Sequence, residues 1–377
     1  MEGISWSGGA LSSFVVLEDG PLLENSIVTP PTLYLLELAK TGKSFNTSKA
    51  VADDLKSYFQ TLKEYSVDWR FITDNEMSGY LQKILFVSRS LSSESIGRHT
   101  SSIKGMYAFA ADHGLLEQEP ALSFNYDGDR DDVRSTKKLG KPNFQLFRQY
   151  LNSTIFELVL AGIRACSPFK RERDELVLKF GFHCGLRTSE VTDSRNFDTS
   201  KIRTAIEEAE SKGELSFCLD IFGKGKKIRQ VDFNPIITRD IKSFLEGRRS
   251  KIIDGPLICR DNGQALSSSH ATRVFKTARD ASIVGIKKAI NNKKNSTEEF
   301  TINLQSIKRL VFHSLRHTYA TNLVRYCYKM KIDPWVYVRD QMGHERKETT
   351  EAYIVFEANI HGRDKVRKSF SLVDEGG

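Results

Sequence analysis

From Asn46 onward, apolar residues recur at helical spacing. Val51, Leu55, Tyr58, Phe59, Leu62 and Tyr65 fall on one face, and Asn46, Thr47 or Ser48 supplies the cap. A second periodic segment follows Thr73-Asp74 and turns Met77, Tyr80, Leu81, Ile84 and Leu85 inward. A third carries Ile96, Ile103, Tyr107 and Ala110 and stops near His113-Gly114. Its other face offers Arg98, Ser101, Ser102 and Lys104, with Arg98 and Lys104 as candidate contacts for an anionic partner. The first 45 residues are harder to read. Ser13–Leu17 has the pattern of a short strand, ended by Asp19-Gly20-Pro21.

The polar, charged stretch from Tyr126 to Pro142 is poor in apolar residues and reads as a linker, with a long surface loop as the alternative. Beyond it the chain is again helix-rich, with one β signal. Phe217, Leu219 and Ile221 alternate within Ser216–Phe222, and Ile228–Phe233 can return antiparallel across a Gly223-Lys224-Gly225-Lys226-Lys227 turn. Lys287 to Ser296 reads as a polar, mobile insertion. The expected fold is mainly α with a small antiparallel β-sheet. Its parts are an N-terminal extension of uncertain structure (1–45), a helical domain (46–125), the linker (126–142) and a second domain (143–377).

Length and composition refine this. The 377 residues can build two cores of ordinary size. Lys plus Arg total 56 against 48 acids, a net charge of +8, which favours a polyanionic partner without naming one. The five cysteines are scattered and form no C-x-x-C pair, which argues for reduced thiols rather than a zinc ribbon or a redox motif. No signal-peptide pattern opens the chain and no apolar run approaches a membrane span, so a cytoplasmic protein is expected.

The candidate chemistry is polar and dispersed. Arg187 follows Gly185-Leu186, with Glu190 three residues on, so a helix start would let the carboxylate hold the guanidinium. A planar, permanent cation suits two phosphate oxygens, although an ordinary Arg–Glu pair is the commoner outcome for such a spacing alone. Lys224 sits between glycines at the hairpin tip, and Lys226, Lys227 and Arg229 would supply phosphate contacts. A solvated basic turn is the plain alternative, and no Walker A loop is present. His313 and Arg316 share a helical face. His317 is four residues from His313, but Ser314 stands where a zincin needs Glu, so no metal is expected. Tyr319, Ala320, Leu323, Val324 and Cys327 form the buried stripe of that helix, with His317 and Tyr319 read as structural. Asp333-Pro334-Trp335 opens a further helix that stops at Gly343, leaving His344 just beyond it. Tyr353 comes nine residues later, after a Thr349-Thr350 cap; alone, beside Ile354 and Phe356, it reads as a packed aromatic.

In this order, Gly185-Leu186-Arg187-Thr188-Ser189-Glu190, the Gly223-Lys224-Gly225 hairpin, His313-Ser314-Leu315-Arg316-His317 and Gly343-His344 followed by Tyr353 resemble the tyrosine recombinase (phage-integrase) family. The resemblance covers residues 143–353 strongly and the N-terminal helices more loosely. It implies a two-domain C-shaped clamp, a helical core-binding (SAM-like) domain plus a tyrosine-recombinase catalytic domain.

By position, the resemblance makes Tyr353 the nucleophile that forms a 3′-phosphotyrosine and frees a 5′-hydroxyl. His313 becomes the general base and Lys224 the general acid. Arg187, Arg316 and His344 stabilise the phosphate, and Glu190 supports them. No cofactor, metal or ATP is implied. The implied partners are double-stranded DNA recombination sites, a homo-tetramer working through a Holliday junction, and an accessory DNA-bending protein, at the nucleoid. The implied task is integration, excision or transposition of a mobile element. Chromosome-dimer resolution and type IB topoisomerase-like relaxation are the alternatives. The tail from Glu357 to Phe370 would dock on a neighbouring protomer. Two departures stand out: Ile202–Gly213 reads as an added helix, and the 287–301 insertion precedes His313.

Overall fold

The computed structural model describes residues 4–6, 9–18, 27–117, 120, 144–223, 227–293 and 300–362. The expected linker at 126–142 and most of the expected docking tail lie outside these residues. The chain divides into two compact units, Met1–Lys138 and Leu139–Gly377. No helix among the described residues is long and apolar enough to cross a membrane.

The N-terminal unit opens with a two-stranded antiparallel hairpin, β1 (Ile4–Trp6) and β2 (Gly9–Leu11). The strand expected at Ser13–Leu17 reduces to a single bridge between Leu17 and Ile27. Phe14 packs against Phe45 instead, ring centroids 4.9 Å apart and tilted by 44°, so its apolar side chain rests on a helix rather than on a sheet. Helix α1 (Thr29–Lys40) begins with two prolines in its first turn and lacks a side-chain cap, which is why it left little trace in the sequence. Ser44 caps α2 (Phe45–Glu64) by accepting from the Thr47 N–H, two residues before the expected caps. Thr73 and Glu76 cap α3 (Asp74–Ser78) reciprocally, and the chain continues in π-helical turns through Gly79–Ser88. Helix α4 (Ser93–Asp112) ends at His113, as expected. Leu55, Tyr58, Met77, Leu81, Leu85, Ile96, Ile103 and Tyr107 form one core. Buried Asp54 accepts from Arg98 (2.9 Å) and Ser102 (2.9 Å), so Ser102, expected to face solvent, is buried.

The C-terminal unit contains, in order, α5 (Phe144–Phe147), α6 (Ser153–Ala161), α7 (Pro168–Cys184), α8 (Thr188–Thr192) and α9 (Thr199–Ser211). The hairpin β3 (Phe217–Phe222) and β4 (Ile228–Phe233) follows, antiparallel with Leu219 opposite Val231. Then come α10 (Pro235–Glu246), α11 (His270–Asn291), α12 (Phe312–Met330), α13 (Pro334–Met342) and α14 (Lys347–Glu357). Helix α11 runs through Lys287 and Lys288, expected as loop, because Ile286 and Ile290 continue its buried stripe; residues 294–299 of the expected loop lie outside the described residues. Helix α14 starts at Lys347, so Thr350 is a buried helical residue rather than a cap.

Helix α12 serves two cores. Phe312 and Leu315 enter the large core that includes Phe180, Phe197, Phe233 and Phe275. Ala320, Val324 and Cys327 enter a smaller one with Leu146, Tyr150, Val338, Met342 and Phe356. The turn carrying His313, Arg316 and His317 therefore lies at the seam between them. Two pins hold the helix there: the Leu151 N–H donates to Thr318 Oγ1 (2.8 Å), and the Val311 N–H donates to Ser314 Oγ (3.1 Å).

Candidate active site

Gly185 ends α7 in the left-handed region (φ +63°), a conformation that suits glycine, and the chain turns to present Arg187 at the start of α8. A side chain on Gly185 would overlap the ring of Tyr319. One turn on, Glu190 is 1% exposed and accepts four hydrogen bonds. They come from the Arg187 N–H (2.8 Å), Arg187 Nη1 (2.7 Å), and Nη1 and Nη2 of Arg229 (2.8 Å each). Burial raises the Glu190 carboxyl, but the Arg229 hydrogen bonds and charge, the Arg187 N–H and Arg316 outweigh it and hold the group down to about 2.

Arg229 also donates from Nε to the Gln341 carbonyl (3.0 Å). β4 turns Arg229, expected to contact DNA phosphate, to the same face as buried Val231 and Phe233, where its fork clamps Glu190. Lys227 is exposed and pairs with Glu345 (2.7 Å), tying the hairpin base to the loop after His344. Lys224 and Lys226 lie outside the described residues. In the N-terminal unit, Arg98 is half exposed beside Asp54, and Lys104 is exposed.

Arg316 is 2% exposed and donates to the carbonyls of Gly185 and Met342, joining the ends of α7 and α13. Burial, with the charges of Arg187 and Arg229, lowers it to about 9, so it stays cationic at neutral pH. Three guanidinium groups, Arg187, Arg229 and Arg316, thus surround one carboxylate. Three positive charges less one negative leave two uncompensated, which suits an anion carried by two or more oxygens.

Gly343 stops α13 with φ +61°, as expected. Asp232 fixes that helix on β4 by accepting from Tyr337 Oη (2.8 Å) and Gln341 Nε2 (2.9 Å). The next residue, His344, is hydrogen-bonded through Nδ1 to Thr350 Oγ1 (3.0 Å). Its ring lies flat along Tyr353, centroids 5.6 Å apart at 10°. An open cleft of about 1230 Å³ runs past Arg187, Gly223, Lys227, Arg229 and His344, with Arg339 and Arg346 on its wall. Tyr353 is next to this wall. Its ring belongs to the smaller core and is 5% exposed, while its hydroxyl is 2.7 Å from His317 Nδ1.

The phenol meets His317, read from the sequence as structural, rather than His313, expected as the base. His313 lies one turn earlier, its ring edge-on to His317 with centroids 4.6 Å apart. The signal was present in the sequence: His317 follows Arg316 and shares the face of His313. Burial and neighbouring cations hold all three imidazoles low, His313 at about 4 and His317 and His344 at about 3. Burial raises the Tyr353 phenol to about 12, against the opposing pull of Arg316 and Arg187. Arg187, Glu190, His313, Arg316, His344 and Tyr353 are thus brought together. The cluster can bind an anion beside a phenol whose proton has a neutral imidazole to move to.

Comparison with known proteins accords with this chemistry. The profile of the phage integrase family matches residues 163–359, and that of the phage integrase N-terminal SAM-like domain matches residues 32–114. The chain is similar to tyrosine recombinase XerC of Chlorobaculum tepidum, 25% identical over 338 residues that cover 85% of this chain and 88% of that protein. Its fold is similar to that of XerH site-specific recombinase in a post-cleavage complex with a palindromic difH substrate. The TM-score is 0.55 at 16% identity, over 93% of this chain and 86% of that one. A lambda integrase tetramer bound to a Holliday junction gives a TM-score of 0.55 at 14% identity, over 85% of this chain and 77% of that one.

Proposed function

The chain belongs to the phage integrase family of tyrosine recombinases, enzymes that cleave and rejoin DNA, and from that premise we propose a site-specific recombinase centred on Tyr353. The phenolic oxygen attacks the scissile phosphate and forms a 3′-phosphotyrosyl link while the 5′ oxygen departs. Arg187 and Arg316 bind the non-bridging oxygens as charge builds on them, with His344 and His313 as further donors. Lys224 protonates the departing oxygen. Glu190 keeps the Arg187 fork in one pose. Because the covalent link conserves the energy of the broken phosphodiester, rejoining to a new strand needs no ATP.

One observation supports this reading above the others: the Tyr353 hydroxyl, hydrogen-bonded to His317, lies beside guanidinium groups that share one carboxylate. The likeness to a lambda integrase tetramer on a Holliday junction supports assembly of this chain into a tetramer on two duplexes, exchanging one strand pair at a time. The XerH neighbour bound to difH supports recognition of a defined DNA site. The task is integration, excision or transposition of a mobile element. Chromosome-dimer resolution would use the same chemistry, and mapping recombination junctions on genomic DNA separates the two.

The test is a nicked suicide duplex carrying a junction sequence, from which the departing strand diffuses away. The wild-type protein should accumulate a covalent protein–DNA adduct that Tyr353→Phe does not form. Binding without any adduct would leave only a DNA-binding role. Relaxation of supercoils without strand transfer between two sites would favour a topoisomerase.

A further inference from the structure

Resting on the recombinase reading, we propose that Thr350 is a positioning residue for cleavage. Its hydroxyl donates to His344 Nδ1 and so fixes the imidazole as the tautomer that offers an Nε2–H to the scissile phosphate. Read from the sequence as a helix cap, Thr350 lies inside α14, 0% exposed, with its hydroxyl 3.0 Å from His344 Nδ1.

The direction of that hydrogen bond follows from the partners on each side. A buried hydroxyl needs an acceptor for its proton. Threonines inside helices find one in the carbonyl four residues back, as Thr192 does at Thr188 (3.1 Å) and Thr318 at Ser314 (3.1 Å). Thr350 makes no such bond; among the described residues, His344 Nδ1 is the one partner of its hydroxyl. Nδ1 therefore accepts and carries no proton of its own. Burial, with the charges of Arg316, Arg187 and Arg229, holds the imidazole at about 3, so at neutral pH the ring bears a single proton. That proton sits on Nε2.

Which nitrogen is left for the substrate decides what the ring can do. An unprotonated nitrogen would set its lone pair against an anionic phosphate oxygen, whereas an N–H donates to it. His344 lines the cleft beside Arg187, and among the described residues its Nε2 has no hydrogen-bond partner. The backbone is held separately, the His344 N–H donating to the Arg339 carbonyl of α13 (3.0 Å). The ring lies flat along Tyr353, which is three residues from Thr350 on the same face of α14. One turn of helix thus carries both the nucleophile and the group that orients a donor for its phosphate.

Two measurements test this. The first is nitrogen-15 NMR of histidine-labelled protein, with the His344 signals identified by their loss in His344→Ala. Nδ1 should resonate as the unprotonated ring nitrogen; a proton found on Nδ1 would overturn the assignment. The second is single-turnover cleavage of the suicide duplex, with DNA affinity alongside, by wild type, Thr350→Val, Thr350→Ser, His344→Ala and the Thr350→Val/His344→Ala double variant. Valine keeps the branched shape without the hydroxyl, so Thr350→Val should bind DNA as wild type does and cleave on the order of 10- to 10²-fold more slowly. Thr350→Ser should retain most of the rate. In the double variant, valine should add nothing to the loss caused by His344→Ala, because it acts only through that ring. A Thr350→Val rate equal to wild type, or a loss that persists undiminished without His344, would reduce Thr350 to packing and reject the inference. If Thr350→Val fails to fold, Thr350→Ala takes its place in the same cycle. Wild type that binds the duplex but forms no adduct would sink the recombinase reading and this role with it. A cleaving wild type with an indifferent Thr350→Val rejects this inference alone.

Discussion

Glu190 carries more of this site than any other single carboxylate. It is buried, yet accepts from two guanidinium groups and a backbone N–H, so its removal leaves Arg187 and Arg229 facing each other and Arg316. Breaking a buried pair by deleting one partner costs about 3–5 kcal/mol. Glu190→Ala should lower unfolding stability by an amount of that order in urea titration; a change below about 1 kcal/mol would mean that the cluster relaxes freely. Acid should weaken the same region. The imidazoles of His313, His317 and His344 are held at about 4, 3 and 3, below the ordinary histidine value of about 6.5. Between those values the unfolded chain binds more protons than the folded one, so stability rises with pH. Their contribution is complete above about pH 6.5 and drains away as pH falls toward 4 and below; Glu190, held at about 2, adds its loss below about pH 4.5. The urea midpoint should fall from pH 7.5 to 5, less steeply in His317→Gln, whereas a flat profile would remove these groups from the balance. The side chains that the fold gathers around Glu190 and Tyr353 were legible from order and spacing, because each lies beside a glycine or on a helical face that spacing reveals. The clamp of Arg229 on Glu190 was not foreseen, because basic residues near a turn invite a phosphate role. Period-two alternation, which places it with Val231 and Phe233, would have turned it inward.

Among the secondary structures, α12 and α13 decide the geometry. The first straddles two cores, and the second is fastened to β4 through Asp232, Tyr337 and Gln341. Asp232→Ala should release the start of the His344 loop while leaving both cores packed. Cleavage is expected to drop by more than tenfold with stability reduced by only about 1–3 kcal/mol. Equal activity would show that His344 is held from elsewhere. Gly185→Ala combines a left-handed backbone with overlap on Tyr319, and should destabilise by about 2 kcal/mol or more in thermal unfolding. The long amphipathic helices and the β3–β4 hairpin were readable because their buried positions recur at 3.6 or 2 residues. Helix α1 was not, since its prolines and uncapped start hide the boundary. The terminus of α11 was missed because lysines on its exposed face resemble a loop when Ile286 and Ile290 are overlooked. Contact between the His317 imidazole and the Tyr353 phenol joins residues 36 positions apart, and no local pattern reports such a pairing.

For the protein acting on DNA, the net charge of +8 and the Arg-lined cleft predict binding that weakens linearly in a plot of log affinity against log salt. Such a dependence would follow from any basic DNA-binding protein. Strand exchange demands more: a phenol, two guanidinium groups and an imidazole must act on one phosphate. The most direct measurement is mass spectrometry of the peptide recovered from protein trapped on a suicide duplex and digested with protease and nuclease. Tyr353 should carry a nucleotide joined through its 3′-phosphate. A nucleotide on any other residue, or none on protein that demonstrably cleaved the strand, would contradict the account.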